Sequence, residues 1–65
     1  MDKPFIHLIE TINGYYVFEV NKNHFISVEE DVYQELEKVM SDNEFKTYTP
    51  YQQELFRPLQ SRGYL

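Results

Sequence analysis

Cysteine is missing from this 65-residue chain, so neither a disulfide nor a thiolate metal site can brace it. Its absence fits a cytoplasmic protein. Glycine occurs only as Gly14 and Gly63, which leaves no glycine-rich loop for a phosphate. The histidines are His7 and His24, with no further ligand at a metal-binding spacing, so no metal or other cofactor is expected. Ser27, Ser41 and Ser61 are the only serines and all fall at helix boundaries, which argues against a catalytic triad. The acidic stretch lacks the alternating oxygen ligands and central glycine of a calcium loop. No apolar run reaches the roughly 18 residues of a membrane span, and no basic-then-apolar segment opens the chain as a signal peptide would. Basic residues are scarce as well: six against eleven acids, a net charge of −5, opposes a nucleic-acid binder, since phosphates need a basic face. What remains is a non-catalytic binding module.

The chain is rich in aromatics, with five Phe and six Tyr, and these supply the bulk of a core. That matters because a domain this short buries only roughly 60% of its unfolded surface. Charge is uneven. Residues 29–44 hold seven acids and one base, Lys38, whereas residues 45–65 hold Lys46, Arg57 and Arg62 against Glu54. The acids read as a solvated helix face, with a basic C-terminal third turned to an acidic partner as the sharper alternative.

His24–Met40 is the stretch around which the chain is organised. A short strand, His24-Phe25-Ile26-Ser27, runs into a helix over 28–40, with Ser27 and Glu30 at capping-box spacing. Glu29, Glu30 and Asp31 suit the positive end of the helix dipole. Val28, Val32, Leu36 and Val39/Met40 form one apolar stripe.

Before it, residues 5–10 and 15–20 read as a hairpin about Asn13-Gly14, the two residues of a type I′ turn. That register pairs 12 with 15 and 7 with 20. It puts Phe5, His7, Ile9, Tyr16, Phe18 and Val20 on one face. Ile6, Leu8, Glu10, Ile12, Tyr15, Val17 and Glu19 fall on the other, which Glu10 and Glu19 mark as the wetter one. Asn21-Lys22-Asn23 is a second tight turn, with asparagines suited to the left-handed region.

After it, residues 44–49 suggest a short helix or a turn. Thr49-Pro50-Tyr51-Gln52 is a T-x-x-Q capping box with proline at the first helical position. Tyr51, Leu55 and Leu59 then make an apolar stripe with Phe56 beside it. Pro58 predicts a kink or a break into two helices. Gly63 suits the residue after a helix end, with Tyr64-Leu65 folding back on the core. The fold class is therefore α+β: a three-stranded antiparallel meander followed by two or three helices, in the order of a winged-helix-like domain.

Strand three is an open edge. An extended peptide can add to such an edge as a further strand, and the last helix would form the other wall of the groove, with Arg57 or Arg62 lending selectivity.

Several motifs occur together in order: Asn13-Gly14-Tyr15-Tyr16, Glu19-Val20-Asn21-Lys22-Asn23, Ser27-Val28-Glu29-Glu30 with Val32-Tyr33 and Leu36, and Leu59 with Arg62-Gly63-Tyr64-Leu65. In this order the chain resembles the RiPP recognition element, the PqqD-like domain found at the N-terminus of radical SAM peptide maturases. The resemblance implies a domain spanning 1–65 that binds the leader of a ribosomally made precursor peptide as a strand antiparallel to strand three, against the last helix. Carried onto this chain, the peptide-binding residues are His24, Phe25, Ile26, Ser27, Leu55, Leu59 and Arg62. It implies a radical SAM catalytic domain in cis or in trans as partner, and a piece excised from such a maturase. No nucleic acid and no membrane is expected as partner. Two other readings stand beside it. One is a small acidic adaptor or inhibitor that meets a protein partner through helix one. The other is a winged-helix nucleic-acid binder, which only the element order supports.

Overall fold

Residues 3–65 are described by the computed structural model of the chain. Three strands come first, β1 (Ile6–Thr11), β2 (Gly14–Glu19) and β3 (His24–Val28), then two helices, α1 (Glu30–Ser41) and α2 (Pro50–Ser61). The sheet is an antiparallel meander in the order β1-β2-β3, so β1 and β3 are both edge strands. The chain is thus α+β, a three-stranded antiparallel sheet followed by two helices. No helix among the described residues is long and apolar enough to cross a membrane.

The first hairpin turns one residue earlier than its Asn-Gly signal suggests. Thr11 pairs with Gly14, and Ile12 and Asn13 form the turn. Neither has positive φ; the unusual backbone is at Gly14, φ 145°, which any side chain would strain. Thr11 Oγ1 accepts from the Asn13 N–H at 3.1 Å, a local bond that favours this earlier placement. The register moves by one residue on each strand, so every pair changes but the membership of the two faces does not.

The roles of those faces are the reverse of the expected ones. Ile6, Val17 and Glu19 are buried, with Leu8, Ile26 and Val28 beside them, so this face meets the helices. Glu19, 3% exposed, is no mark of a wet face. Its carboxylate accepts from the Asn21 N–H at 3.1 Å and the Lys22 N–H at 2.6 Å. Two charge-assisted bonds satisfy the buried oxygens and shape the β2–β3 turn. Asn23 completes that turn at φ 57°, in the left-handed region expected of it. The opposite face is uncovered and aromatic: Phe25 lies 5.2 Å from Tyr16 and 6.5 Å from Phe18, and His7 stacks on Phe18 at 6.4 Å.

α1 starts later than expected, and the Ser27–Glu30 capping box does not form. Ser27 is still in β3, opposite Tyr16, two residues short of the helix cap position. Glu29 is the cap by position and makes no side-chain cap bond. Glu30 instead accepts from the Tyr15 hydroxyl at 3.1 Å, and this bond to a carboxylate is the main cause of a raised Tyr15 ionisation. Tyr33, Leu36 and Val39 are the buried face of α1. At its far end the Lys3 ammonium donates to the Met40 carbonyl at 3.0 Å, which suits the negative end of a helix.

Residues 42–49 form no helix, so the third helix is absent. The segment is fixed by packing: Tyr48 is 3% exposed, edge-on to Phe56 at 5.2 Å, with Phe45 at 5.5 Å. The Thr49–Gln52 capping box forms in full. Gln52 is itself buried, and its amide also donates to Glu35 at 3.3 Å, tying α2 to α1. The buried stripe is Gln52, Phe56 and Leu59, and Tyr51 turns outward. Pro58 neither breaks nor splits α2. Its missing N–H costs one bond, to the exposed Glu54 carbonyl, while Phe56 and Leu59 anchor the helix on either side. The helix closes in a Schellman motif: the Gly63 N–H donates to Gln60 at 3.0 Å, the Tyr64 N–H to Leu59 at 2.9 Å, and Gly63 sits at φ 79°. Tyr64 and Leu65 pack against the core, as the sequence suggests.

Two outcomes follow for stability. Glu19→Ala leaves the Asn21 and Lys22 N–H groups without their acceptor and should cost about 1–3 kcal/mol in urea unfolding. Hydrogen bonds from Lys38 and then from Gln52 hold the Glu35 carboxyl below its ordinary value, against the opposing effect of burial. A depressed folded value stabilises fully above the unfolded value, near 4.5, and that stability is lost as pH falls through the folded one. Glu35→Gln should therefore flatten the acid limb of stability measured against pH; because Glu35 also raises Lys38 above its ordinary 10.5, the variant should lose the matching fall in stability at strongly alkaline pH too, and keep its shape near neutrality.

Candidate peptide-binding cleft

The chain just past the C-terminal end of α2 lies at the start of β3. At one end the Tyr64 hydroxyl lies 3.1 Å from His24 Nδ1, just past the helix and at the start of the strand. At the other, Gln52 in the first turn of α2 reaches Glu35 of α1. Between the strand and the helix lies a cleft of about 220 Å³. β3 contributes Ile26, Ser27 and Val28; the start of α1 contributes Glu29 and Val32; α2 contributes Leu55, Pro58, Leu59 and Arg62. The four α2 residues are spaced i, i+3, i+4 and i+7, one helix face. Ile26 and Val28 share the face of β3 that looks toward the helices, by strand alternation.

The sequence-expected residues divide. Ile26, Ser27, Leu55, Leu59 and Arg62 are brought together in the cleft lining. His24 and Phe25 are not part of it. His24 stands at the end of the cleft, edge-on to Tyr64 at 5.6 Å. Phe25 is 58% exposed on the uncovered aromatic face, the opposite side of the strand. Arg57 pairs with Glu54 on the exposed side of α2 and does not line the cleft. Val28, Glu29, Val32 and Pro58 are lining residues that the sequence reading assigned elsewhere. The alternation that carries Ile26 inward carries Val28 inward too, and Pro58 lies three residues after Leu55, so both signals were present.

The cleft floor is apolar and its two ends carry opposite charge. The Arg62 guanidinium and the Glu29 carboxylate make no side-chain hydrogen bond or ion pair among the described residues, where the salt bridges are Lys38–Glu35 and Arg57–Glu54. Its outer boundary is the free edge of β3, whose outward N–H and C=O groups have no strand beside them. A second hollow of about 180 Å³ lies between the start of β1 and the end of α1, lined by Pro4, Phe5, Ile6, His7, Val20 and Met40. None of these lining residues is an acid, a lysine or an arginine. Among the described residues, no three His, Asp or Glu side chains converge as a metal site would require. The arrangement at β3 can hold an extended chain by backbone bonds on one side and apolar contacts on the other.

No protein-family model, no curated protein and no solved structure matches this chain.

Proposed function

We propose that this chain is a peptide-recognition domain that takes the leader of a ribosomally made precursor peptide as a fourth strand on β3, beside α2. The observation that carries the reading is the open β3 edge running along an apolar cleft walled by a helix. Backbone bonds to β3 would give each bound residue about 0.5–1.5 kcal/mol net. One leucine-sized side chain seated against Leu55 and Leu59 would add about 1.5–3 kcal/mol. Alternate peptide residues would face the cleft, so the pattern read is apolar at every second position. The element order agrees with a winged-helix-like domain, the fold that the resemblance to RiPP recognition elements implies. On this reading the piece does no chemistry; it holds the peptide for a radical SAM maturase domain, in cis or in trans.

The test uses isotope-labelled protein and overlapping synthetic peptides that tile the short open reading frames encoded beside its gene. One peptide should shift the amide signals of residues 24–28 in a saturable way. Leu55→Glu should weaken that peptide about tenfold to a hundredfold, since Leu55 is half-buried in the cleft wall. Circular dichroism of the variant checks that it still folds. Shifts confined to Glu30, Asp31 and Glu35, lost on reversing those charges and indifferent to Leu55→Glu, would sink this reading in favour of an adaptor that binds through α1.

A further inference from the structure

The cleft has direction as well as shape. Arg62 follows Leu55 by seven residues of helix, about 10 Å along the cleft. Tyr64, two residues past Arg62, meets His24 at the start of β3, whereas Glu29 directly follows Val28, the last residue of β3. The cation is therefore at the His24 end of the cleft and the carboxylate is at the α1 end. Both side chains are exposed, both line the cleft, and neither has an ionic partner among the described residues. This holds in a chain with almost twice as many acids as bases, eleven against six, where an arginine has carboxylates to choose from.

We propose that the cleft selects a peptide by its charge order: a basic residue, an apolar residue two positions on, then an acidic residue two positions after that, all three with side chains toward the cleft, read from N to C. The proposal rests on the peptide-recognition reading above and adds the chemistry of the peptide to it. Every strand pair in this sheet is antiparallel, and antiparallel pairing is the more stable per residue. A strand added antiparallel to β3 has its N-terminal end at Glu29 and its C-terminal end at Arg62. Residues four apart on an extended strand are about 13 Å apart and point to the same side, so the base, the apolar residue midway and the acid can all face the cleft. The acid meets Arg62, whose planar guanidinium can grip a carboxylate with two bonds. The base meets Glu29, with Glu30 and Asp31 behind it in the first turn of α1. A peptide of reversed order puts like charge on like charge at both ends. Because both ends are open to water, each match is worth about a fivefold change in affinity and weakens as salt rises.

The experiment pans a displayed library of random peptides against the whole chain and keeps only binders lost on Leu55→Glu, so that every retained peptide depends on the cleft. The expected result is enrichment of base-before-acid peptides. Against them Arg62→Glu should lower affinity about fivefold to tenfold, and changing the peptide acid to lysine should restore it. Cleft-dependent peptides with no charge order, or with acid before base, overturn the charge rule and leave peptide recognition standing. If no binder is lost on Leu55→Glu, so that none is retained, peptide recognition itself falls and the charge rule falls with it.

Discussion

The buried carboxylate of Glu19 governs where everything after β2 can go. A carboxylate 3% exposed inside so small a core has to be hydrogen-bonded. Its two partners are the first N–H groups of the next turn, Asn21 and Lys22. That clamp, with Asn23 in the left-handed region, reverses the chain within four residues and starts β3 at His24 directly opposite Glu19. The start of β3 sets which of its residues face the helices. It thereby sets Ile26 and Val28 inward, and the free edge beside α2.

α2 is positioned by a second set of constraints. Phe56 and Leu36 are fully buried, Tyr48 closes over Phe56, and Gln52 bonds across to Glu35. The Schellman turn then carries Tyr64 back to His24. With both ends held, α2 can tolerate Pro58 in its last turns, and the proline ring becomes part of the cleft wall. The bond that Pro58 forgoes lies on the exposed side, where water can take its place.

Signals that are local in the sequence survive into the structure where no neighbouring bond or pairing competes for the same residues. The Thr49–Gln52 box and the left-handed Asn23 need only their neighbours, and both are present. The Ser27–Glu30 box had the right letters, but β-pairing with Tyr16 took Ser27 first. Face membership was legible because a shift of one residue on both strands keeps the two-residue period. Which face is core was not, because a glutamate was read as a mark of solvent and its turn N–H partners lie outside the strand pattern. Tyr48 was missed for a related reason: it is buried from an irregular segment with no period to reveal it. At the site, the strand and the helix were legible as the two walls. Treating β3 as a run rather than as an alternation put Phe25 in the groove, and starting the helix at residue 28 left Val28 out.

An open edge on a small domain is also a hazard, since a second copy can pair with it as readily as a peptide can. The charge distribution bears on this. Acids cluster at the α1 end of the β3 edge, where Glu29, Glu30 and Asp31 follow the strand directly. Two copies joined antiparallel through β3 would each bring that acidic end beside the other's His24 and Arg62, a match at the ends. They would also bring together two chains of charge −5, and lay two helix-walled clefts against each other with no strand to fill either. A single extended peptide meets neither cost: it carries little charge overall and places side chains into the cleft that a second β3, already committed inward to its own α2, cannot supply. On the proposed reading, the feature that would make the edge selective for a free strand over a copy of itself is the helix beside it. Ile26 and Val28 are used by the domain's own core, and what is left unfilled is the space between them and α2.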